Sequence, residues 1–348
     1  MSDVVSVTVE PFDHPLEEPF EISLGTRRTA ANVLVTVETE AGAVGYGEGS
    51  PLPPITGETR AAAVETARTL ADLLDGEDVA DYRDLVGEIR AAVPGAVSAL
   101  FAVETALLDA YCREVDIPLS ALFGGRPAPV TTDMTIPILA PERAADRARR
   151  AADAGYDHLK IKTGTDVDDD VERVRAVARA VPEASLKVDA NQGWTVTETC
   201  RFADGVADGG VALELIEQPV PASDVAGLAR VRERVDVPIA ADEAVFTPAD
   251  AVRIVREEAA DVVNAKLGKS GPLAVADIAA IATGADLDLM IGCMLESAVG
   301  IHTSAHVVAG LGAFTYVDLD GNRLLAEDVL DDDGPEHEIS GPGHGVTP

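Results

Sequence analysis

Short apolar runs that end in a polar or charged residue recur along most of this chain, 24 to 28 residues apart. A longer Ala-rich stretch follows each run, which is typical of strands alternating with helices. Eight such positions predict a parallel (β/α)8-type barrel, with catalytic groups at the C-terminal ends of its strands. The positions, in chain order, are Thr135, Lys162, Asp189, Glu217, Asp242, Lys266, Gly292 and Asp318.

Three of these positions are carboxylates on successive predicted strands, Asp189, Glu217 and Asp242, here called the metal triad. Carboxylate oxygens from adjacent strands make a hard site that suits Mg2+, with Mn2+ as the alternative ion. Any one of these residues alone could equally be a helix N-cap or a solvated loop charge. Their regular spacing favours the metal site.

Lysine is scarce in this sequence, and all five lysines fall within or beside these runs. Lys160 and Lys162 are two residues apart on one predicted strand, so their side chains share a face and each should lower the pKa of the other. Lys266 lies on a strand across the predicted mouth. Retention of lysine here suggests proton exchange, which arginine cannot perform. The alternative is that five residues cluster by chance.

The chain of 348 residues carries 61 acidic against 27 basic residues, a formal charge of −34. This excess argues against nucleic acid or anionic membrane partners. The acid is spread evenly, which suits a protein from a salt-loving host, where salt screens charge repulsion. No signal peptide or apolar run of membrane-spanning length is apparent. The three cysteines have no zinc-type spacing, so we expect them to be reduced in a soluble cytoplasmic protein.

The sequence divides into a small α+β domain, a barrel and a tail. Alternating Val-rich runs and Ala-rich helices fill residues 1–125, with two long loops near residues 19–28 and 47–57 that are expected to carry function. Residues 126–320 form the predicted barrel. The acidic, Gly- and Pro-rich segment 321–348 follows it.

Seven strings of residues make the chain resemble the muconate-lactonising subgroup of the enolase superfamily, and within it the dipeptide epimerases of the L-Ala-D/L-Glu epimerase type. The resemblance covers nearly the whole chain, and the acidic pair in the last string carries the narrower assignment. The strings are Lys160-Ile-Lys162, Asp189-Ala-Asn191, Glu217-Gln-Pro219, Ala241-Asp242-Glu243, Lys266-Leu-Gly-Lys269-Ser-Gly271, Gly292-Cys-Met-Leu-Glu296-Ser and Asp318-Leu-Asp320-Gly321.

The resemblance implies a modified (β/α)7β barrel with an N-terminal α+β capping domain, to which segment 321–348 returns. It also implies an isomerase that binds Mg2+ through the metal triad. The reaction would be 1,1-proton transfer at the Cα of the C-terminal residue of a dipeptide, through a metal-stabilised enolate. Lys162 and Lys266 would be the two acid/bases, while Lys160 would tune Lys162 and help to neutralise the enolate. We expect a small-molecule substrate and a homo-oligomer.

Further site residues follow from the same resemblance. Asp318 and Asp320, two apart at one strand end, would face the mouth and bind the α-ammonium of the dipeptide. The alternatives for this pair are a turn cap at Asp-Gly or a calcium loop, although the residues that follow the pair lack the acidic spacing that a calcium loop requires. The remaining expected residues contact the substrate (Thr135, Arg27, Ile55, Glu296) or stand beside the ligands (Asn191, Lys187, Lys269).

Several reactions remain open on the residues alone. Two opposed lysines permit epimerisation or racemisation, but one base would suffice for a syn elimination. The alternatives are therefore an o-succinylbenzoate synthase, an N-acylamino acid racemase or a muconate-type cycloisomerase. A more remote alternative is a non-catalytic binding protein that the metal stabilises.

Overall fold

The computed structural model describes residues 2–331 and 333–348. Strands β1 to β13 are, in order, Val4–Ile22, Gly25–Thr39, Val44–Gly49, Val130–Thr131, Met134–Ile136, His158–Lys162, Ser185–Asp189, Ile216–Glu217, Ile239–Ala241, Val262–Asn264, Asp288–Gly292, Tyr316–Asp318 and Glu336–His337. Helices α1 to α12 are Pro53–Thr56, Arg60–Ala71, Tyr82–Ala92, Val97–Glu114, Pro141–Asp153, Val167–Ala180, Val196–Asp208, Val225–Arg232, Pro248–Arg256, Leu267–Ser270, Pro272–Gly284 and Ala298–Leu311. Short 3-10 helices span Val79–Asp81, Leu119–Phe123 and Gly321–Leu324.

The N-terminal part is an antiparallel sheet in the order β1-β2-β3, packed against helix α4. Glycines alternate along one face of β3, and the helix backbone lies directly on them. A Cβ atom built on Gly45 would lie 2.2 Å from the Ala110 nitrogen, and one built on Gly47 would lie 2.0 Å from the Ala102 oxygen. The missing side chains therefore allow α4 to approach the sheet closely.

The structure corrects the prediction of a loop near residues 19–28. Strands β1 and β2 extend through this segment as one long hairpin, whose turn comprises Ser23 and Leu24. Prolines and acidic residues in β1 hide the alternation in the sequence, and the register shifts between Pro15 and Phe20. The second segment, 47–57, contains the end of β3 and the short helix α1.

The predicted α/β barrel is confirmed. Eight parallel strands, β5 to β12, are hydrogen-bonded to their neighbours in chain order. The Asp133 N–H donates to the Val317 carbonyl at 3.2 Å, which brings the last strand beside the first. Part of the barrel interior is filled by a buried apolar cluster of Leu215, Ala240, Val262 and Met290.

The C-terminal residues contact the N-terminal part. The Leu119 N–H donates to the Gly343 carbonyl at 2.8 Å, and the His344 N–H donates to Asp109 Oδ1 at 2.8 Å. Strand β13 pairs with β4 in an antiparallel manner. Within residues 2–331 and 333–348, every helix is too short or too polar to cross a lipid bilayer.

Candidate active site

The three carboxylates of the metal triad lie at the carboxyl ends of neighbouring barrel strands. Asp189 ends β7, Glu217 ends β8, and Asp242 directly follows β9. The strand register places Asp189 beside Glu217, and all three side chains are buried. Because parallel strands end at the same edge of the barrel, residues far apart in sequence meet at its mouth.

Burial and neighbouring charges shift the pKa values of two of these carboxylates in opposite directions. Asn264 Nδ2 donates to Glu217 Oε1 at 2.6 Å, whereas Glu217 Oε2 has no hydrogen-bond partner within residues 2–331 and 333–348. Burial and the neighbouring carboxylates raise the pKa of Glu217 to about 7. Burial alone would raise the pKa of Asp242, but Lys266 and Lys269 outweigh it and hold that pKa below its usual value. A buried set of anionic oxygens fits a hard divalent ion such as Mg2+.

Two lysines border the metal triad from opposite sides of the mouth. Lys162 ends β6, the second barrel strand, and Lys266 follows β10, the sixth of eight. Strands four apart in an eight-stranded barrel lie across from each other. Lys162 Nζ is 2.6 Å from Asp189 Oδ2, and Lys266 Nζ is 2.6 Å from Asp242 Oδ2. A group bound over the carboxylates would therefore have an amine on each side.

The carboxylates raise the pKa values of two buried lysines. Burial disfavours the charged form of Lys266, but Asp242 and Glu217 outweigh burial and raise its pKa above the usual value. Lys160 behaves in the same way, with Asp318 and Glu217 as the main opposing charges. The neighbouring lysine is predicted to lower the pKa of Lys160, whereas the carboxylates around this amine act in the opposite direction.

A second acidic feature lies beside the last barrel strand. Asp318 ends β12, Asp320 follows two residues later, and both are buried. Lys160 forms an ion pair with Asp318 Oδ2, while Asp318 Oδ1 has no hydrogen-bond partner in the described part of the chain. The Thr135 N–H donates to Asp320 Oδ2 at 2.6 Å. Asp318, Asp320 and Thr135 all line one cavity at the mouth, as do the three lysines Lys160, Lys162 and Lys266.

Asn191 and Lys269, expected beside the metal ligands, do contact them or their partners. Asn191 Oδ1 accepts from Lys162 Nζ at 3.2 Å, and Asn191 Nδ2 donates to Glu243 Oε1 at 3.2 Å. Lys269 Nζ donates to Asp242 Oδ1 at 2.6 Å. Both residues therefore hold charged groups of the mouth in position.

Lys187 lies elsewhere, in the barrel interior, where its Nζ is 2.7 Å from Asp133 Oδ2. Asp133 was not predicted from the sequence, and neither was Asn264, whose amide donates a hydrogen bond to a carboxylate of the metal triad. Their position in the sequence could have identified them, because Asp133 lies two residues before Thr135 and Asn264 lies two residues before Lys266, and both of these were predicted at the mouth. Strand alternation places residues two apart on the same face.

A group of three closely spaced acids was not predicted. One carboxylate oxygen from each of Asp133, Asp318 and Asp320 lies within 4.8 Å of the other two, a spacing that could hold a cation. Among the described residues, the metal triad does not reach this spacing. Its outer members are instead drawn to the amines of Lys162 and Lys266.

The cavity has largely apolar walls. The tip of the β1–β2 hairpin contributes Phe20, Ile22 and Leu24, and the segment after β3 contributes Leu52 and Ile55. On the barrel side, the apolar residues are Met294, Leu295 and Leu324. Arg27 also lines the cavity, so Arg27 and Ile55, both expected to contact the substrate, lie at the mouth.

Glu296, which the sequence analysis expected at the substrate, lies behind the cavity wall rather than on it. Its Oε1 accepts from the Met294 N–H at 3.0 Å and from Ser50 Oγ at 3.3 Å. Burial is the main reason that its pKa is raised to about 7. The short connection between β11 and α12 turns this side chain towards the N-terminal part. Glu296 therefore joins the barrel to the segment that precedes helix α1.

Two family models together match nearly the whole chain. The model described as "Mandelate racemase / muconate lactonizing enzyme, N-terminal domain" matches residues 4–124, and the model described as "Enolase C-terminal domain-like" matches residues 143–348. An L-Ala-D/L-Glu epimerase from Thermotoga maritima is 36% identical, with 97% of this chain and 99% of the relative covered. A hydrophobic dipeptide epimerase from Enterococcus faecalis is 38% identical, with 88% and 86% covered.

Solved structures of dipeptide epimerases are also similar to this chain. The dipeptide epimerase of Enterococcus faecalis in complex with Mg and the dipeptide L-Leu-L-Tyr is similar with a TM-score of 0.95 at 34% identity, covering 100% of both chains. The substrate-liganded L-Ala-D/L-Glu epimerase of Bacillus subtilis is similar with a TM-score of 0.96 at 33% identity, covering 99% of this chain and 98% of that one. The chain therefore belongs to the mandelate racemase/muconate lactonizing enzyme family of the enolase superfamily, among its dipeptide epimerase-like members, and is an isomerase of the epimerase or racemase type.

Proposed function

We propose that the protein is a Mg2+-dependent dipeptide epimerase that inverts the Cα of the C-terminal residue. The observation that carries the proposal is the placement of Lys162 and Lys266 on strands four apart in the barrel, with the metal triad between them. Proton removal on one face and proton return on the other inverts a stereocentre. The Mg and dipeptide bound to the Enterococcus faecalis relative support the same reaction.

Asp189, Glu217 and Asp242 would hold the divalent ion. When bound, it would supply Lewis-acid stabilisation for negative charge on the substrate carboxylate and would offset the carboxylate charge that raises the pKa values of Lys160 and Lys266. Glu217 Oε2 accepts no hydrogen bond from the described residues, and the pKa of Glu217 is raised mainly by burial; both observations support this role.

Three lysines would carry out the proton transfer and balance the charge that it creates. One of the amines of Lys162 and Lys266, when neutral, removes the Cα proton of the bound substrate. The opposite amine, as an ammonium, delivers a proton to the other face of the resulting enolate. Lys160 Nζ lies 3.7 Å from Glu217 Oε2 and 3.9 Å from Asp189 Oδ2, so its charge helps to balance the enolate. Epimerisation in the opposite direction exchanges the two roles.

The substrate's α-ammonium would bind Asp318 and Asp320. Both carboxylates line the cavity, and Asp318 Oδ1 has no hydrogen-bond partner in residues 2–331 and 333–348. Burying two acids together is costly unless a cation pairs with them. An N-acyl amino acid lacks that cation, which favours a dipeptide over the substrates of the N-acylamino acid racemase type.

The apolar walls favour a dipeptide with apolar side chains. The hairpin and the segment after β3 present Ile22, Leu24 and Ile55, and the barrel side presents Met294 and Leu324. Each apolar side chain buried there gains about 1.5 to 3 kcal/mol from transfer out of water. Among the cavity-lining residues of the hairpin and of the segment after β3, Arg27 is the charged one.

The test is a dipeptide library incubated with the protein and Mg2+ in D2O and read by mass spectrometry. Deuterium incorporation at Cα should be strongest for L,L-dipeptides with apolar side chains, and it should disappear after exhaustive chelation and return with Mg2+. Exchange of N-acyl amino acids but of no dipeptide would contradict the proposal. A dehydrated or ring-opened product would identify a synthase or cycloisomerase instead, and metal-dependent stability without any turnover would identify a binding protein.

A further inference from the structure

An ion pair lies in the barrel interior, one side-chain layer below the mouth. Asp133 and Lys187 are each 1% exposed, and Lys187 Nζ is 2.7 Å from Asp133 Oδ2. The ring of Tyr316, from the last barrel strand, covers the ammonium at 5.5 Å. Neither Asp133 nor Lys187 lines the mouth cavity, so neither is placed to contact the substrate.

This ion pair lies beside Asp318 and Asp320, which are here called the acidic subsite. A carboxylate oxygen of Asp133 lies within 4.8 Å of oxygens of both Asp318 and Asp320. Lys160 pairs with Asp318, and Lys187 pairs with Asp133. With every group at its usual charge, three carboxylates face two ammonium groups, which leaves one negative charge. A single substrate ammonium would neutralise it.

We propose that Asp133 and Lys187 are positioning residues for the binding of the substrate ammonium. Asp133 holds the Lys187 ammonium away from Asp318 and Asp320, so that these two carboxylates stay available to the substrate. Lys187 in turn neutralises Asp133, so that a third buried negative charge does not crowd the pair. The inference rests on the proposed function, because it assumes that a dipeptide ammonium binds Asp318 and Asp320.

The two single substitutions disturb this arrangement in opposite ways. In Asp133→Asn, the Lys187 ammonium loses its carboxylate partner and is free to turn towards Asp318, where it competes with the substrate ammonium. In Lys187→Met, Asp133 becomes an unpaired buried carboxylate beside the subsite. The double variant removes both charges and restores the balance, and replacing a whole buried ion pair by neutral groups is often well tolerated.

The experiment measures kcat and KM for the best dipeptide and for its N-acetylated form in wild type, both single variants and the double variant. For the free dipeptide, Asp133→Asn should raise KM by about 10-fold or more while kcat changes by less than about 3-fold, because it removes the residual negative charge that attracts the substrate ammonium. Lys187→Met adds a negative charge beside the subsite and should not raise KM. The double variant should recover most of the loss. The N-acetylated form carries no ammonium, so its KM should change little.

Control variants separate this effect from a general loss of stability. Asp109→Asn breaks a buried ion pair with Arg113 in the N-terminal part, 2.6 Å long, and should lower stability without changing KM. Lys187→Gln removes the charge while keeping a polar side chain, and serves if Lys187→Met does not fold. Unchanged KM in folded Asp133→Asn, a raised KM in folded Lys187→Met, or a double variant no better than Asp133→Asn would overturn the inference. Wild-type protein that exchanges no dipeptide would overturn the proposed function itself, and the inference with it.

Discussion

Substitution of Asp320 by Asn removes a charge from the acidic subsite while preserving its shape. Asp320 Oδ2 accepts a hydrogen bond from the Thr135 N–H at 2.6 Å, and the Asn oxygen can accept the same bond. The backbone of the first barrel strand should therefore keep its position. What the variant loses is the charge that would pair with the substrate ammonium.

The size of this loss follows from the burial of the site. Truncating one partner of a buried, hydrogen-bonded charge pair costs about 2 to 5 kcal/mol. At about 1.4 kcal/mol per decade, kcat/KM for a free dipeptide should fall by about 30- to 3,000-fold. The N-acetylated dipeptide should lose far less, because it brings no ammonium to the subsite.

The assay compares kcat/KM for free and N-acetylated forms of one dipeptide in wild type and variant. Asp261→Asn is the matched control, because it removes an acidic charge next to the amino end of β10, away from the mouth. An unchanged ratio of the two substrates in Asp320→Asn would refute the assignment of the acidic subsite.

Three further predictions concern the scaffold. Burial raises the pKa of Glu296 from 4.5 to about 7, so the folded state keeps a proton that the unfolded state loses, and the free energy of unfolding should fall as the pH rises from about 4.5 to 7. In urea melts, the Glu296→Gln variant should lack up to about 3 kcal/mol of this fall. Equal pH slopes for the variant and the wild type would contradict the prediction. Gly47→Ala places a Cβ 2.0 Å from the Ala102 oxygen and should destabilise the protein by about 1 to 3 kcal/mol or more, whereas an unchanged melting temperature would argue against this packing. With a formal charge of −34, the melting temperature should rise as KCl increases from about 0.1 to 2 M, and a fall would contradict the expected adaptation to salt.

The barrel was predictable because its period is long and regular. The spacing of the eight strand-end positions reflects one strand plus one helix, and strand neighbours follow chain order in the structure. The hairpin through residues 19–28 was not predictable in the same way. Its strands carry prolines and charges at positions that usually end a strand, and pairing with the neighbouring strand overrides that local preference.

The site was predictable where a residue belongs to a strand end, and less so one layer below. Asp189, Glu217 and Asp242 end or follow strands, so the period alone finds them. Asp133 and the contact it makes with Lys187 depend on which residues share the barrel interior, and that requires the register of strands far apart in sequence. The orientation of Glu296, which follows a strand end, likewise depends on contacts with the N-terminal part, such as the hydrogen bond from Ser50.

The central claim is that two lysines act on opposite faces of one Cα atom. It is tested most directly by following deuterium exchange of each epimer of one dipeptide in D2O with Lys162→Ala and Lys266→Ala, both with Mg2+ added. Each variant should lose exchange of one epimer far more than of the other, and the two variants should show opposite preferences. Equal loss for both epimers in both variants would contradict the account.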